Sequence, residues 1–236
     1  MLNSMPNVDH VFAACRSPSK CSELIDLKQE FANKITLVKL DSTDEESIKE
    51  AQKQVAQQTD RLDVLLNVSG ILKPDTSIRT VTRQDLMDSF QTNTIGPLLV
   101  AKHFQAMLHK KSTSNDPELT FEQGAPLSIL ANVSAKVGSI QDNRIGGWTA
   151  YRASKAALNM ITKNCAIELN RKNVVCVSLH PGTVDTDLSK PFQKNIKKEK
   201  LFTVELAIQQ LCTIMKNIRL SDNGKFYAWD GSELPW

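Results

Sequence analysis

Apolar residues in this chain fall into short continuous runs separated by segments with helical spacing. Residues 10–15 (HVFAAC), 35–40 (ITLVKL), 62–67 (LDVLLN), 127–133 (LSILANV) and 174–179 (VVCVSL) each read as a buried strand, and residues 225–229 as a last one. Between them the spacing predicts helices over residues 22–31, 44–58, 82–110, 150–171 and 205–218. Thr43 or Asp44 would cap the second of these, with acids in its first turn, and Gly96-Pro97 marks a place where the third would bend. Two stretches escape both periods. Residues 111–125 are polar and read as a surface excursion. Residues 188–200 are basic and read as a solvated loop, with a lid over a substrate cleft as the alternative.

Strands alternating with helices predict βαβ units and a parallel sheet, and unbroken apolar strands predict helices on both faces. The fold class expected is therefore α/β, a doubly wound, Rossmann-like parallel sheet forming one domain over residues 1–236. Composition agrees, with 41% hydrophobic and 23% charged residues in 236. A net charge of +3 gives no reason to expect nucleic acid or an anionic membrane as partner. No apolar run approaches the ~18–20 residues of a membrane span, and the N-terminus (MLNSMPNVDH) lacks the pattern of a secretory signal. Five cysteines without a C-x-x-C predict free thiols in a reducing compartment, hence a cytoplasmic protein. The histidines His10, His103, His109 and His180 do not cluster with them, so no metal site is expected.

Ligands of open parallel α/β sheets bind beyond the carboxyl ends of the strands. Those ends carry Arg16, Asp41, Asn67 to Gly70, Ser134 and His180-Pro181-Gly182-Thr183, all polar or small. The sharpest feature is Tyr151 followed by Lys155, which share a helical face. A phenol is a poor acid–base group near pH 7, and an adjacent ammonium would lower its pKa toward the working range. On its own the spacing also fits a surface tyrosine beside a solvated lysine.

Taken with Asn132-Val133-Ser134 upstream, Pro181 to Thr186 downstream, Asn67 to Gly70 and Asn93 before Gly96, the sequence resembles the short-chain dehydrogenase/reductase family. Within it, the chain looks like the C-factor-like and sniffer-like carbonyl reductases from about Val8 to Trp236, including GSIQDNRIGGWTAYRASKAALN and YAWDGSELPW. The resemblance implies an oxidoreductase passing a hydride between a nicotinamide cofactor and a carbonyl/alcohol substrate. Tyr151 would be the general acid and Lys155 would hold the nicotinamide ribose. Asn93 would anchor a water in the proton relay. Asn67 and Gly70 would lie along the cofactor, Asp41 would meet the adenine amino group, and Pro181, Gly182, Thr183, Val184 and Thr186 would meet the carboxamide. Arg16 stands where an acid would favour NAD; an arginine there can pair with a 2′-phosphate, so NADP is expected with NAD possible. The small-molecule substrate is not legible, although Trp148, Phe192 and Phe202 suggest an apolar face. By analogy with relatives, the two long helices could pair in a homo-oligomer.

Two departures from the family pattern stand out. In N-h-S-S-x-x-G, the second serine contacts the carbonyl, but here Ala135 takes that place. Ser134 is the substitute if the loop shifts by one residue, with Ser139 a distant alternative. The family also opens with a strand and a glycine-rich turn that cradles pyrophosphate at a helix N-terminus. All nine glycines of this chain lie at or after Gly70, and residues 1–7 read as the tail of that first helix. The expectation is an N-terminally incomplete domain, short of roughly 20 residues. It would leave a gap of about 9–10 Å between the strand ending at Cys15 and the strand ending at Asn67. A non-catalytic binding or signalling protein on the same fold, or an inactive fragment, is the alternative function.

Overall fold

The computed structural model describes residues 2, 5, 7–108 and 118–236. In chain order the elements are β1 (Val11–Cys15), α1 (Ser22–Glu30), β2 (Ile35–Lys39), α2 (Glu45–Ala56), β3 (Val64–Asn67), α3 (Arg83–Phe90), α4 (Gly96–Phe104), β4 (Ser128–Val133), α5 (Thr149–Leu169), β5 (Val174–His180), β6 (Thr183–Val184), β7 (Leu201–Phe202), α6 (Val204–Lys216) and β8 (Phe226–Ala228). All named pairings are parallel, with β1 beside β2 in one sheet and the order β3-β4-β5-β8 in another.

Side-chain alternation explains the layers. Along β4, Ile129 and Ala131 point into a core shared with α6 through Leu211, Cys212 and Met215. Leu130 points the other way, onto Ala166 and Leu169 of α5. A further core joins Val38 of β2 to Ile48, Ala51 and Val55 of α2 and to Val100 and Phe104 of α4, with Phe12 and Leu65 packed against it. This last core spans the two sheets.

The sequence pattern places every main strand to within a residue or two. It misses three details. The helix expected over residues 82–110 is interrupted by a π-helical turn at Gln91–Ile95, and residues 109–110 lie outside the described set. The π turn widens the backbone one step before Gly96-Pro97, so the break precedes the proline that signalled it. The basic stretch 188–200 is not a plain loop: it forms two 3-10 turns, Lys190–Asn195 and Lys198–Lys200, and leads into β7, which pairs with β6. Of the polar stretch 111–125, residues 111–117 fall outside the described set, and the rest is no surface excursion: Thr120 and Ala125 are buried, and Leu119 and Phe121 pack against the core under α6.

The gap expected between β1 and β3 is present. No pairing joins the two strands among the described residues, and a cleft of about 1170 Å³ lies between them. The sheets are held together by α4. Its first residue, Gly96, lies against Ser42 just beyond β2, and the carbonyl of Pro97 accepts from Nδ2 of Asn67 at the end of β3 (3.5 Å). A Cβ at Gly96 would stand 2.7 Å from the Ser42 carbonyl oxygen, so no side chain fits. Gly96→Ala is therefore expected to lower stability by about 1–3 kcal/mol in urea unfolding, despite alanine's better helix propensity. An unchanged or raised midpoint would show that the contact can relax.

Candidate active site

The carboxyl end of the four-stranded sheet and the start of α5 bring most of the expected residues together. Tyr151 and Lys155 lie one turn apart on α5, both buried. The Lys155 side chain is only 3% exposed, and its ammonium donates to the carbonyl of Val133 at the tip of β4 (2.8 Å). It lies 5.8 Å from the centroid of the Tyr151 ring. Gly138 makes room for it, and Gly70 lies in ordinary contact. A Cβ on Gly138 would come within 2.8 Å of the Lys155 Cβ, and one on Gly70 would lie 3.5 Å from Nζ.

Asn93 is fully buried within the π turn. Its Oδ1 accepts from the Ile71 amide (2.8 Å), while Nδ2 donates to the Ile71 carbonyl (2.9 Å) and to Oγ of Ser154 (3.0 Å). Oγ1 of Thr94 donates to the Ser154 carbonyl (2.8 Å). The π turn thus clamps the segment after Gly70 to the helix carrying Tyr151. A second polar chain fixes α5 to the sheet. Nδ2 of Asn67 donates to Oδ1 of its register partner Asn132 (2.8 Å), Nδ2 of Asn132 to Oγ1 of Thr162 (2.9 Å), and Oγ of Ser178 to the same Oγ1 (3.1 Å).

Asp75 carries no local signal in the sequence. This carboxylate is 6% exposed and accepts from the amides of Thr149 (3.0 Å) and Ala150 (3.3 Å), while its carbonyl accepts from the Trp148 amide (2.8 Å). Trp148 occupies the N-cap position with φ 48°, and its side chain offers no capping oxygen. Asp75 supplies that cap from a distant loop.

Electrostatics differ from the expected picture. Burial pushes the Tyr151 phenol up to about 12, rather than the ammonium drawing it down. The same burial pulls Lys155 down to about 8. Desolvation is the cause of both shifts. The Tyr151 hydroxyl makes no hydrogen bond among the described residues. The aromatic wall expected beside it is partly there: the Trp148 ring lies 6.5 Å from that of Tyr151, and Phe192 lies 4.8 Å from Trp148. Phe202 instead packs on Trp229, 4.8 Å away, and against Gly182, whose φ of 77° suits a residue without a side chain.

Ser134, expected to reach a substrate carbonyl, is turned inward. It is 3% exposed and donates to Oδ1 of Asn159 (2.7 Å). Ser139 is buried too and donates to the carbonyl of Trp236 (3.3 Å). Pro181, Gly182, Thr183 and Val184 continue β5 and are half-buried, and Thr186 is exposed. Arg16 and Asp41 stand apart, at the ends of β1 and β2. Thr43 donates to Asp41 Oδ1 through hydroxyl and amide (2.7 and 2.9 Å), and these bonds, with Arg16 nearby, hold the Asp41 carboxyl below its ordinary range.

The chain as a whole has recognisable relatives. A family profile described as enoyl-(acyl carrier protein) reductase matches residues 9–217. The chain belongs to the short-chain dehydrogenase/reductase family. An uncharacterised oxidoreductase of Schizosaccharomyces pombe is 31% identical, over 96% of this chain and 87% of its own. The C-signal of Myxococcus xanthus is 32% identical over 75% of this chain and 95% of its own. Among solved structures, the carbonyl reductase Sniffer of D. melanogaster superimposes with a TM-score of 0.86 at 30% identity, covering 99% of this chain and 92% of that one. An NADPH-bound carbonyl reductase from chicken fatty liver gives 0.82 at 30% identity, covering 97% and 88%. As a member of this family the chain is an oxidoreductase. Among the described residues no helix is long and apolar enough to cross a membrane, and no group of metal-ligating side chains occurs.

Two predictions follow from these contacts. Asp75→Ala removes the cap of α5 and is expected to cost about 0.5–2 kcal/mol in denaturant unfolding, whereas Asp75→Asn, which keeps an acceptor oxygen, costs less; equal losses would argue against capping. His180 at the end of β5 is half-buried with its Nδ1 buried and without a partner among the described residues, and desolvation lowers it to about 4. The unfolded chain binds that proton first, near pH 6.5, so stability is retained above that pH. It falls as pH drops through about 4, by about 3 kcal/mol in total. His180→Asn should flatten that part of the stability–pH curve.

Proposed function

We propose that this protein moves a hydride between NADP(H) and a carbonyl/alcohol pair, with Tyr151 as the proton donor. The observation that carries this reading is the contrast at the site. The neighbouring polar groups of Asn93, Ser134, Ser154 and Thr162 are committed to protein partners, while the Tyr151 hydroxyl is left free beside a buried cation.

The residues fit a nicotinamide dinucleotide at two ends. An ammonium has three donors, and the Val133 carbonyl uses one, so Lys155 keeps two for the ribose hydroxyls. Pro181, Gly182, Thr183, Val184 and Thr186 would meet the carboxamide, and Asn67 and Gly70 would border the ribose. On the other sheet, Arg16 would pair with a 2′-phosphate and Asp41 would accept from the adenine amino group. NAD is the alternative if Arg16 only stacks on adenine.

When bound, the cofactor supplies or accepts the hydride. In the reducing direction Tyr151 gives its proton to the carbonyl oxygen, and a pKa of about 12 keeps that proton in place at neutral pH. The Lys155 charge, 5.8 Å from the ring, stabilises the phenolate left behind. Asn93, which holds the turn at Ile71, would anchor a water in the proton relay. With Ala135 where a donor would stand and Ser134 turned inward, Tyr151 holds the carbonyl oxygen alone, at a typical cost of ~10²–10³ in rate. Trp148 and Phe192 favour an apolar substrate.

Exposed Met87, Leu98, Met160 and Ile167 on α3, α4 and α5 support the paired-helix oligomer. The five free thiols fit a reducing, cytoplasmic setting.

The test is NADPH consumption by this chain with apolar aldehydes and ketones. Tyr151→Phe is expected to lower turnover by ~10²–10⁴ while leaving unfolding unchanged. The rate should fall above about pH 8 as Lys155 loses its charge. A second reading, a non-catalytic binding or signalling protein, draws on Ala135 and the divided sheet. It would be favoured if NADPH bound in a direct titration and no carbonyl was turned over, or if the Phe variant matched the parent.

A further inference from the structure

The polar groups between α5 and the sheet are arranged in two layers. In the first, Oγ1 of Thr162 stands between the register partners Asn132 and Ser178 and accepts from both (2.9 and 3.1 Å). One turn earlier on α5 is Asn159, and two residues further along the strands are Ser134 and His180. The ladder continues to them, since the Ser134 amide donates to the Leu179 carbonyl (2.8 Å). Alternation puts both side chains on the face that Asn132 and Ser178 use, while Leu179 between them points the other way, into the core with α6. Oγ of Ser134 donates to Oδ1 of Asn159 (2.7 Å). The second layer is therefore Ser134, Asn159 and His180, matching Asn132, Thr162 and Ser178 place for place.

The second layer differs in one respect. Nδ2 of Asn159 and Nδ1 of His180 are both buried, and neither has a partner among the described residues. Asn159 as a whole is only 4% exposed. Leaving such atoms unpaired costs about as much as losing a hydrogen bond. Their roles are complementary, because the amide nitrogen can only donate and a neutral imidazole has one nitrogen that accepts. The imidazole is neutral at pH 7, held down to about 4 by burial, with the Lys136 charge acting in the same direction and Asp230 opposing it. One water molecule satisfies both atoms. It accepts from Asn159, donates to His180 Nδ1, and keeps a second hydrogen for Oγ of Ser134, whose own proton goes to Asn159.

We infer that Asn159 and His180 hold one buried water between them, and that this bridge fixes the imidazole as its Nε2–H tautomer and ties the Tyr151 helix to the loop beginning at Pro181. Asn159 lies two turns after Tyr151 on α5, and His180 is the last residue of β5 before that loop. Both are positioning residues. The bridge itself stands on the layer geometry, and its bearing on turnover rests on the proposed reductase activity.

The test uses the full chain with 15N-labelled histidine, the His180 ring being assigned by its loss in His180→Asn. At pH 7 the long-range proton–nitrogen pattern should be that of a single Nε2–H tautomer. A crystal structure of the same chain should show a water about 2.7–3.2 Å from both nitrogens. Asn159→Leu should mix the two tautomers and speed amide exchange at Gly182, Thr183 and Val184 by about tenfold. With NADPH and a carbonyl that the parent reduces, it should lower kcat by about 10–100-fold and change KM by about threefold at most. Ser134→Ala, which leaves both nitrogens in place, should keep the tautomer. The inference is overturned by an Nδ1–H tautomer or a mixture in the parent, by a direct bond or a dry contact between the two nitrogens in the crystal, or by unchanged tautomer and exchange in Asn159→Leu. Should that variant not fold, the parent spectrum and crystal decide. A parent without turnover would count against the reductase reading alone, since the spectra and exchange still judge the bridge.

Discussion

A single buried ammonium organises the candidate active site. Taking the Lys155 charge out of water is costly unless it finds an acceptor, and the Val133 carbonyl at the tip of β4 is the one it reaches. The lysine can occupy that position only because Gly138 leaves space beside its Cβ. Its helix must also sit at one height over the sheet. Asn132, Thr162 and Ser178 set that height from the sheet, Asn93 and Thr94 from the π turn, and Asp75 from the helix start. Tyr151 inherits its placement from all of these. The chemistry asks for one free hydroxyl, and the structure provides it by committing the polar groups around it.

The other half of the molecule is organised by packing. The β1–β2 pair shares no strand ladder with the four-stranded sheet among the described residues. What joins them is the apolar core under α2 and α4 and the tight passage of Gly96 past Ser42. Non-directional burial fixes distance less sharply than a row of hydrogen bonds.

Much of this was legible in the sequence. Strands announced themselves because continuous apolar runs bounded by polar turns have few other readings, and Tyr151, Lys155 and Asn93 because their spacing sits on predicted elements in a recognisable order. The division between β1 and β3 followed from the lack of a glycine-rich turn. The features that escaped depend on tertiary contact. Asp75 lies 74 residues from the amide it caps at Thr149, so nothing local marks it. The direction of Ser134 was set by Asn159, 25 residues on. The tyrosine pKa was misjudged because spacing reports proximity to a charge but not burial, and here burial prevails. The β6–β7 pair was missed because two-residue strands carry no periodicity.

The position of α4 has a consequence for cofactor use. In the proposed reading, the residues offered to the adenosine end, Arg16 and Asp41, travel with one sheet, and those offered to the nicotinamide end travel with the other. The helix that bridges them works as a ruler. A change in its packed side chains, such as Val100 or Phe104, would lengthen or shorten the span a dinucleotide has to bridge. The carbonyl-facing groups, all mounted on one sheet and α5, would stay put. In this architecture, affinity for the nucleotide and handling of the second substrate are mechanically separable.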